Sequence, residues 1–327
     1  MSENKTALIT GTSTGIGLTT AVHLARNGYR VFAGMRNTAK REALDEAAAG
    51  LPVTIVEMDV TNDDSVQQAV ESAGGANAID VLVNNAGMGG ATPLELTPME
   101  EHQRMFDTNY FGAIRCIQAV LPSMRERGSG CIVNITSMEG LVAIPDQIAY
   151  SASKWALECA GEALAHEVCR FGIRVVNVEP GVIMTKIFEN SAPMTRFDRT
   201  SPYVDIMRRN GKMFAAGFRA ATQPELVAET ILEAIESETY QLRWPVGEDA
   251  KGLWEGRKAM SDEAFVATNT EFISGVIILI EAAEHLLLDN IAVDLAMQAR
   301  RIGGRLVDFV EAEARHRRFS EIRFLPM

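Results

Sequence analysis

Short apolar runs alternate along most of the chain with longer stretches whose apolar positions recur at helical spacing. A strand buried on both faces reads as a continuous apolar run, whereas a surface helix carries apolar residues three and four positions apart. The runs cover residues 7–10, 30–34, 53–58, 79–84, 131–136 and 173–178. This alternation predicts an α/β fold, with a parallel sheet covered by helices on both faces.

The sequence predicts three long helices, two of which begin with a capping pattern. Residues 97–100 read Thr-Pro-Met-Glu, which predicts a capping box with proline at the first helical position and a helix reaching about Met124. A second long helix is expected to end near Gly172. The same capping pattern at residues 222–225 predicts a helix to about Glu236.

Composition is typical of a globular protein with a sizeable core, at 47% hydrophobic and 23% charged residues. A length of 327 residues suggests one large domain plus an appendage, which we place at residues 1–261 and 262–327. The net charge of −12 argues against nucleic acid or an anionic membrane as a partner, since both attract basic surfaces.

No apolar run is long enough to span a bilayer, and the N-terminus lacks the apolar segment of a signal peptide, so we expect a cytoplasmic protein. The four cysteines have neither C-x-x-C spacing nor neighbouring histidine pairs, which favours buried free thiols over a zinc site or disulfides. No metal is expected.

A glycine-rich turn follows the first apolar run and precedes a helical pattern. It consists of Gly11, Thr12, Ser13, Thr14, Gly15, Ile16 and Gly17. A strand, such a turn and a helix in this order bring backbone N–H groups to a helix N-terminus, where phosphate binds. A glycine cluster alone is weak support, and its position in the alternating pattern strengthens it.

Further candidate residues lie where successive strands are predicted to end. Arg36 follows the second run, where an acidic residue would bind a ribose 2′-hydroxyl, and an arginine favours a 2′-phosphate instead. Asp59 ends the third run, and Asn84-Asn85-Ala86-Gly87 ends the fourth. Each is also compatible with an ordinary turn, but together they point into one crevice.

Tyr150 and Lys154 are four positions apart, so both side chains lie on one face of a helix. A phenol with an ordinary pKa of about 10 is a poor base at neutral pH, and a neighbouring ammonium lowers that pKa. Ser137 could then hydrogen-bond the oxygen of an alcohol or ketone. Taken alone, so short a pattern is better explained as an ordinary helix surface.

With these motifs in place, residues 5–247 resemble the short-chain dehydrogenase/reductase family. The resemblance rests on Thr10-Gly11-x-x-x-Gly15-Ile16-Gly17, Asp59, Asn84-Asn85-Ala86-Gly87, Asn109, Ser137, Tyr150-x-x-x-Lys154 and Pro180-Gly181, in the family's order and spacing. It implies a Rossmann-type doubly wound sheet and a nicotinamide-dependent oxidoreductase that interconverts an alcohol and a ketone.

The resemblance also implies residue roles. Tyr150 would be the general acid/base, Lys154 would lower its pKa and hold the nicotinamide ribose, and Ser137 would orient the substrate oxygen. Asn109 would keep a bend in its helix. The implied cofactor-binding residues are Gly11, Thr12, Ser13, Thr14, Gly15, Ile16, Gly17, Arg36, Asp59, Val60, Asn85, Ala86, Gly87, Tyr150, Lys154, Pro180, Gly181, Val182 and Thr185.

Arg36 matches the position associated with NADP(H) preference. Thr14 is neutral where some NADP-using relatives carry a second basic residue, which leaves NAD(H) as the alternative.

A lid at residues 183–220 is rich in methionine and aromatic side chains, which favours a small apolar substrate, similar to a steroid or retinoid. Packing of the lid on its own core is the alternative explanation. Glu139 faces either the pocket or solvent. The two long helices resemble those through which relatives pair, so we expect a homodimer or homotetramer.

Residues 275–327 resemble part of a GNAT-type N-acetyltransferase, through Leu288-Asp289-Asn290-Ile291-Ala292-Val293 and Gln298-x-x-Arg301-x-Gly303. Arg301 stands where that family has its first glycine, so we expect a structural fragment. The pattern is strand, strand, helix (residues 298–317) and strand. The other functions considered are a bifunctional or acyl-CoA-binding protein and a non-catalytic NADP-binding regulator.

Overall fold

The computed structural model describes residues 5–185, 199–271, 275–282, 285–293 and 322–324. The chain divides into two compact units, Met1–Glu255 and Gly256–Met327.

The first unit is built on a seven-stranded sheet in the order β3-β2-β1-β4-β5-β6-β7. Every neighbouring pair is parallel. The strands are β1 (Thr6–Thr10), β2 (Arg30–Met35), β3 (Val53–Glu57), β4 (Val81–Asn84), β5 (Gly130–Ile135), β6 (Ile173–Pro180) and β7 (Arg243–Val246). The α/β doubly wound fold and its first six strands are as the alternation predicts.

Sequence reasoning missed β7, a four-residue strand that contains Pro245. Proline cannot donate a ladder hydrogen bond and is confined to edge strands, so it weakens the sequence signal for a strand that does exist at the sheet edge.

Ten helices are described. They are α1 (Gly15–Arg26), α2 (Glu42–Ala47), α3 (Asp63–Ser72), α4 (Met99–Phe106), α5 (Gly112–Arg127), α6 (Ile148–Val168), α7 (Val204–Arg219), α8 (Pro224–Glu236), α9 (Glu248–Lys258) and α10 (Asp262–Glu271). The core consists of two buried clusters, one on each face of the sheet. Residues of α1 and α8 contribute to the first cluster, and residues of α3 and α5 contribute to the second.

The helix expected from residue 98 exists, but its start differs from the prediction. Pro98 is the N-cap residue, and no side chain caps α4. The Thr97 hydroxyl donates instead to the carbonyl oxygens of Thr92 and Pro93, at 3.0 and 2.9 Å. The capping-box interpretation of residues 97–100 is therefore wrong, because local backbone acceptors in the preceding loop compete for the hydroxyl.

A row of buried asparagines crosses the sheet. Asn84, Asn134 and Asn177 are register partners on β4, β5 and β6. Each donates in the same direction: Asn84 Nδ2 to Asn134 Oδ1 at 3.0 Å, Asn134 Nδ2 to Asn177 Oδ1 at 3.1 Å, and Asn177 Nδ2 to Glu158 Oε2 at 2.8 Å. Below, this series of hydrogen bonds is called the asparagine row. It ties three strands to α6.

The cysteine expectation holds for two of four thiols. Cys116 and Cys131 are buried, while Cys159 and Cys169 are exposed, and all four are free. The exposed pair lies on α6 and in the turn after it, where helical spacing alternates buried and exposed positions.

In the second unit, β8 (Gly275–Ala282), β9 (His285–Val293) and β10 (Ile322–Phe324) form a sheet in the order β10-β9-β8. β8 is antiparallel to β9, and β10 is parallel to it. The helix predicted at residues 298–317 lies outside the described residues.

Replacing Asn134 by alanine should strongly destabilise the protein. Asn134 is fully buried, and its removal leaves the Asn84 donor and the Asn177 acceptor without partners. An unsatisfied buried polar group costs about 1–3 kcal/mol, so urea unfolding should show a loss of about 2–5 kcal/mol. Asn77→Ala, at an exposed position, is the control and should stay within about 0.5 kcal/mol of the wild type. An equal effect of both substitutions would show that the asparagine row contributes little.

Candidate active site

The order of the strands creates a crevice between β1 and β4. From β1 the chain proceeds through β2 and β3 toward one edge of the sheet, and from β4 onward it proceeds toward the other. Such a switch point leaves an opening at the carboxyl ends of the strands, where ligands of open α/β sheets bind. The glycine-rich turn after β1 and residues 84–87 after β4 both lie at this opening.

The glycine turn packs directly on the end of β4. Gly11 has φ +71°, and a Cβ built there would lie 2.7 Å from Ala86 Cα. Asn85 Nδ2 donates to the carbonyl oxygens of Thr10 and Gly11 at 2.8 and 3.0 Å. The Thr10 hydroxyl accepts from the N–H groups of Asn85 and Ala86 at 3.0 and 2.9 Å. Only a residue without a side chain permits this approach.

Helix α1 begins at Gly15, and its N-cap residue Thr14 makes no side-chain capping hydrogen bond. The N–H groups of a first helical turn have no partner within the helix, so they are available to an anion in the crevice. The turn and helix N-terminus therefore fit a pyrophosphate. Thr12 instead joins the turn to β2, since its N–H and its hydroxyl both donate to Gly34 O, at 3.0 and 3.1 Å.

The residues predicted for the adenosine end lie at the ends of β2 and β3. Arg36 is exposed directly after β2. Asp59 Oδ1 accepts from the N–H and hydroxyl of Thr61 at 3.0 and 2.8 Å, which fixes the turn after β3. Val60 is buried against Gly112, where an added Cβ would lie 2.7 Å from its side chain. These residues are compatible with a nucleotide, and Arg36 is free to reach a phosphate.

The fold brings Ser137, Tyr150 and Lys154 together. Ser137 follows β5, and Tyr150 and Lys154 lie in the first turns of α6. Ser137 hydrogen-bonds the Tyr150 side chain. Lys154 Nζ lies 5.8 Å from the centroid of the Tyr150 ring and donates to Ile135 O at 2.8 Å. Gly87 faces the same place, because a Cβ built on it would be 3.5 Å from Lys154 Nζ.

Asn109 occupies a π-helical turn, Asp107–Phe111, that joins α4 to α5. Its side chain is 1% exposed. Its Oδ1 accepts from Met88 N–H at 2.8 Å, and its Nδ2 donates to Met88 O at 2.9 Å and to Ser153 Oγ at 3.0 Å. π-helical turns are often found at functional sites. This one joins the loop after β4 to helix α6.

Burial dominates the electrostatics of the site. It raises the pKa of Tyr150 above the ordinary value, the charge of Glu139 adds to the increase, and the hydrogen bond from Ser137 opposes it. Burial also lowers the pKa of Lys154 to about 8, against the opposing charge of Glu158. Desolvation, which disfavours the charged forms of both residues, dominates in this arrangement, and the role of Lys154 in lowering the pKa of Tyr150 stays a prediction.

Glu139 is buried, at 3% exposure, which excludes the solvent-exposed position that the sequence had left open. Its N–H donates to Ser137 Oγ at 3.1 Å, and its Oε2 accepts from Ser151 Oγ at 2.7 Å. Burial raises the pKa of Glu139 to about 8, although the hydrogen bond from Ser151 acts in the opposite direction. Its position two residues after Ser137 was the only sequence signal for this carboxyl group.

The segment after β6 runs along the crevice. The side chain of Thr185 lies 3.1 Å from a Cβ built on Gly15, so this segment touches the glycine turn. Val182 donates its N–H to Asp249 Oδ2 at 2.6 Å and accepts from Thr222 N–H at 3.0 Å. Both main-chain groups of Val182 are therefore engaged within the protein.

Ile183, which the sequence did not single out, follows Val182 in this segment. It forms a parallel bridge with Thr222 that uses the carbonyl of Val182 and the N–H of Met184. In an extended segment successive main-chain groups point in opposite directions, so the N–H and C=O of Ile183 face away from Thr222. The alternation of hydrogen-bonding direction is the signal that distinguishes it from Val182.

Helix α7 forms most of the described part of the lid, and hydrogen bonds join it and its N-cap residue to the segments after β4 and before α6. The hydroxyl of Tyr203, its N-cap residue, donates to Glu95 Oε2 at 2.5 Å. Asn210 Nδ2 donates to Pro145 O, also at 2.5 Å. Met207 is buried, whereas Met184 and Met213 are exposed by 47% and 46%. Lid residues 186–198 lie outside the described residues, and so does the predicted contribution of their methionine and aromatic side chains.

Comparison with known proteins agrees with this geometry. The family described as short chain dehydrogenase matches residues 5–196. The chain belongs to this family. Human retinol dehydrogenase 8 is 39% identical over 255 residues, which cover 73% of this chain and 80% of that protein. A 3-ketodihydrosphingosine reductase from Bacteroides thetaiotaomicron is 36% identical over 241 residues, covering 73% and 87%.

Among solved structures, a short-chain dehydrogenase from Streptomyces avermitilis superposes with a TM-score of 0.71 at 32% identity, over 83% of this chain and 97% of that one. The protein is accordingly an NAD(P)-dependent oxidoreductase of the short-chain dehydrogenase family that acts on CH–OH groups. These comparisons do not support the acetyltransferase resemblance of residues 275–327, and the family match ends at residue 196. Within the described ranges, no helix is both long and apolar enough to cross a membrane.

Gly11→Ala should impair cofactor binding beyond its effect on the backbone. Gly50 is the matched control, because it has a similar φ of +77° but no atom within 4 Å of an added Cβ. Both alanine variants should lose about 1 kcal/mol of stability from the left-handed backbone. Gly11→Ala alone should raise the Kd for NADPH, measured by fluorescence titration, by about tenfold or more, since its Cβ meets Ala86. Equal affinities in the two variants would contradict the close packing of the turn.

Proposed function

We propose that this protein is an NADP(H)-dependent oxidoreductase that interconverts an apolar secondary alcohol and its ketone, or an alcohol and its aldehyde, with a steroid- or retinoid-like substrate. The observation that carries the proposal is the assembly of Ser137, Tyr150 and Lys154 beside the crevice at the β1/β4 switch point. Asn109 joins this group through Ser153 and Met88.

The cofactor supplies or accepts the hydride at the substrate carbon, and the protein provides the proton and the positioning. In reduction, Tyr150 donates its phenolic proton to the developing alkoxide oxygen, and in oxidation it accepts that proton from the alcohol. Ser137, which already hydrogen-bonds Tyr150, would orient the same substrate oxygen. Lys154 would bind the nicotinamide ribose, and the N–H and C=O of Ile183 would be available to the carboxamide, since those of Val182 are engaged by Asp249 and Thr222.

NADP(H) preference is supported by one exposed cation. Arg36 stands directly after β2, where a guanidinium can pair with a 2′-phosphate by charge-assisted hydrogen bonds. NAD(H) remains the alternative cofactor, because Thr14 adds no second charge to this end of the crevice.

An apolar substrate is supported by two kinds of observation. The lid contributes methionine side chains at Met184, Met207 and Met213, which adapt to irregular apolar ligands. Two relatives are named for apolar molecules, as retinol dehydrogenase 8 and 3-ketodihydrosphingosine reductase.

We further propose a homodimer or homotetramer. Phe111, in the π-helical turn before α5, is 49% exposed, and Trp155, on α6, is 47% exposed. Large apolar side chains that are exposed in the single chain are typical of a surface that another protein covers. Sedimentation of the wild type and of Trp155→Glu tests the oligomeric state, and a monomeric wild type would reject the proposal.

The cytoplasmic location inferred from the sequence stays a prediction, which cell fractionation tests.

Tyr150→Phe should remove most turnover and leave cofactor binding nearly intact. Loss of a positioned proton donor lowers the rate by about 10²–10⁴-fold, while the ring and its packing are retained. The rate is measured as NADPH oxidation with a panel of apolar ketones and aldehydes that includes all-trans-retinal. Tyr240→Phe, whose hydroxyl donates to Val175 O away from the crevice, is the matched control and should behave as wild type. Wild-type turnover in Tyr150→Phe would reject the proposal.

Arg36→Leu should weaken NADPH binding selectively. Hydrogen bonds to a charged group contribute about 1.5–3 kcal/mol, so the KM for NADPH should rise about tenfold or more and the KM for NADH should stay unchanged. Arg26→Leu, at the exposed end of α1, is the control. A parallel rise in both KM values would instead indicate that Arg36 does not read the 2′-phosphate.

A further inference from the structure

The buried carboxyl group of Glu139, which has no role in the mechanism proposed above, lies beside Ser137 and Tyr150. Glu139 belongs to the short helical turn Met138–Gly140, between β5 and α6. Its N–H holds Ser137 Oγ, and its side chain accepts a hydrogen bond from Ser151, the residue after Tyr150. Glu139 is thus bound at one end to the residue proposed to orient the substrate and at the other to the neighbour of the proposed proton donor.

The groups around Glu139 are acidic or neutral. From the segment before α6, Asp146 adds a second carboxyl, which has φ +56° and is itself buried. From α6 and its N-cap residue, Ser151 and the Gln147 amide face Glu139. From the lid helix, Asn210 hydrogen-bonds Asp146. Among the described residues, no lysine or arginine forms an ion pair with Glu139. Lys154 interacts with Ile135 O and with Glu158 instead.

A buried carboxyl group without a cation is neutral over much of the ordinary pH range, because desolvation penalises the carboxylate. Burial and the charge of Asp146 raise the pKa of Glu139 to about 8, and Ser151 and Gln147 only partly oppose this. When Glu139 does ionise, its negative charge acts on Tyr150 and raises the pKa of that phenol. The two residues are therefore electrostatically coupled.

We propose that Glu139 is a positioning residue for proton transfer: its backbone N–H holds Ser137, its neutral side chain holds Ser151, the residue after Tyr150, and as a carboxylate it opposes the deprotonation of Tyr150. This inference rests on the proposed role of Tyr150 as the group that donates and accepts the proton. Glu139 itself touches neither substrate nor cofactor in this role. Its effect is on the pH range in which Tyr150 works.

The sign of the effect follows from the coupling. Oxidation of an alcohol needs the phenolate of Tyr150, so its rate rises with pH, and a carboxylate at position 139 moves this rise to higher pH. Glu139→Gln keeps an oxygen that accepts from Ser151 but cannot ionise. It should therefore shift the rising limb of kcat/KM for oxidation to lower pH, by about one unit as expected for one nearby charge. A purely structural role would change the rate without moving this limb.

The kinetic test uses the full-length protein, NADP⁺ and all-trans-retinol, or the best alcohol of the panel described above, from pH 6 to pH 10. Glu126→Gln, an exposed carboxyl on α5, is the control and should reproduce the wild-type profile. An unshifted limb in Glu139→Gln overturns the inference. That result is distinguishable from failure of the proposed function, which would show as wild-type turnover in Tyr150→Phe.

Thermal unfolding gives a readout that does not depend on turnover. The folded-state pKa of Glu139 is raised above its unfolded value, so its contribution to stability is present below about pH 4.5 and is lost as pH rises through about 8. The Tm of Glu139→Gln relative to wild type should therefore increase between pH 5 and pH 8.5. A constant difference in Tm would contradict the ionisation of Glu139 in its buried position.

If Glu139→Gln does not fold, Ser151→Ala is the second variant. It removes a hydrogen bond that favours the carboxylate of Glu139, so the ionisation of Glu139 should move to higher pH. An unmoved ionisation would overturn the inference.

Discussion

The asparagine row is the constraint on which the arrangement of the site depends. It connects Asn84, Asn134 and Asn177 across the three strands whose carboxyl ends lead into residues 85–87, Ser137 and Pro180. All three amides donate in one direction, and the series ends at Glu158 of α6, one turn beyond Lys154. Glu158 also accepts from the Thr136 hydroxyl at 2.6 Å and pairs with Arg243 of β7 at 3.2 Å. These hydrogen bonds therefore fix the position of helix α6, which carries the proposed catalytic residues, relative to the ends of the three strands.

A second consequence is electrostatic. Glu158 opposes the loss of charge that burial imposes on Lys154, so the same carboxylate that terminates the asparagine row also supports the ammonium. Tyr150 and Glu139 have no such compensation and prefer their neutral forms. The site therefore contains a phenol and a carboxylic acid that hold their protons, next to an ammonium whose pKa lies at about 8. This combination suits a reaction in which the protein supplies a proton to an alkoxide.

The sequence predicted most of the first unit because its elements are locally encoded. Apolar runs identify strands buried on both faces, and a glycine turn needs φ values that other residues rarely adopt. Prediction was wrong or incomplete where one segment competes with another. Thr97 had nearer acceptors than the helix it was expected to cap, and the Pro245-containing strand exists only because the edge of the sheet tolerates proline. The hydrogen bonds of Val182 to Asp249 and Thr222, which lie far along the chain, likewise have no local signal.

What the sequence by itself determined is the fold class, the existence of the first six strands and the family. These follow from periodicity and from short motifs whose spacing is a property of one strand–turn–helix unit. Only the tertiary structure decided that Glu139 is buried, that Lys154 donates to Ile135 O, and that Asn109 lies in a π-helical turn. Burial and hydrogen-bond partners come from residues distant in sequence, and desolvation, which sets the pKa values, has no local signature along the chain.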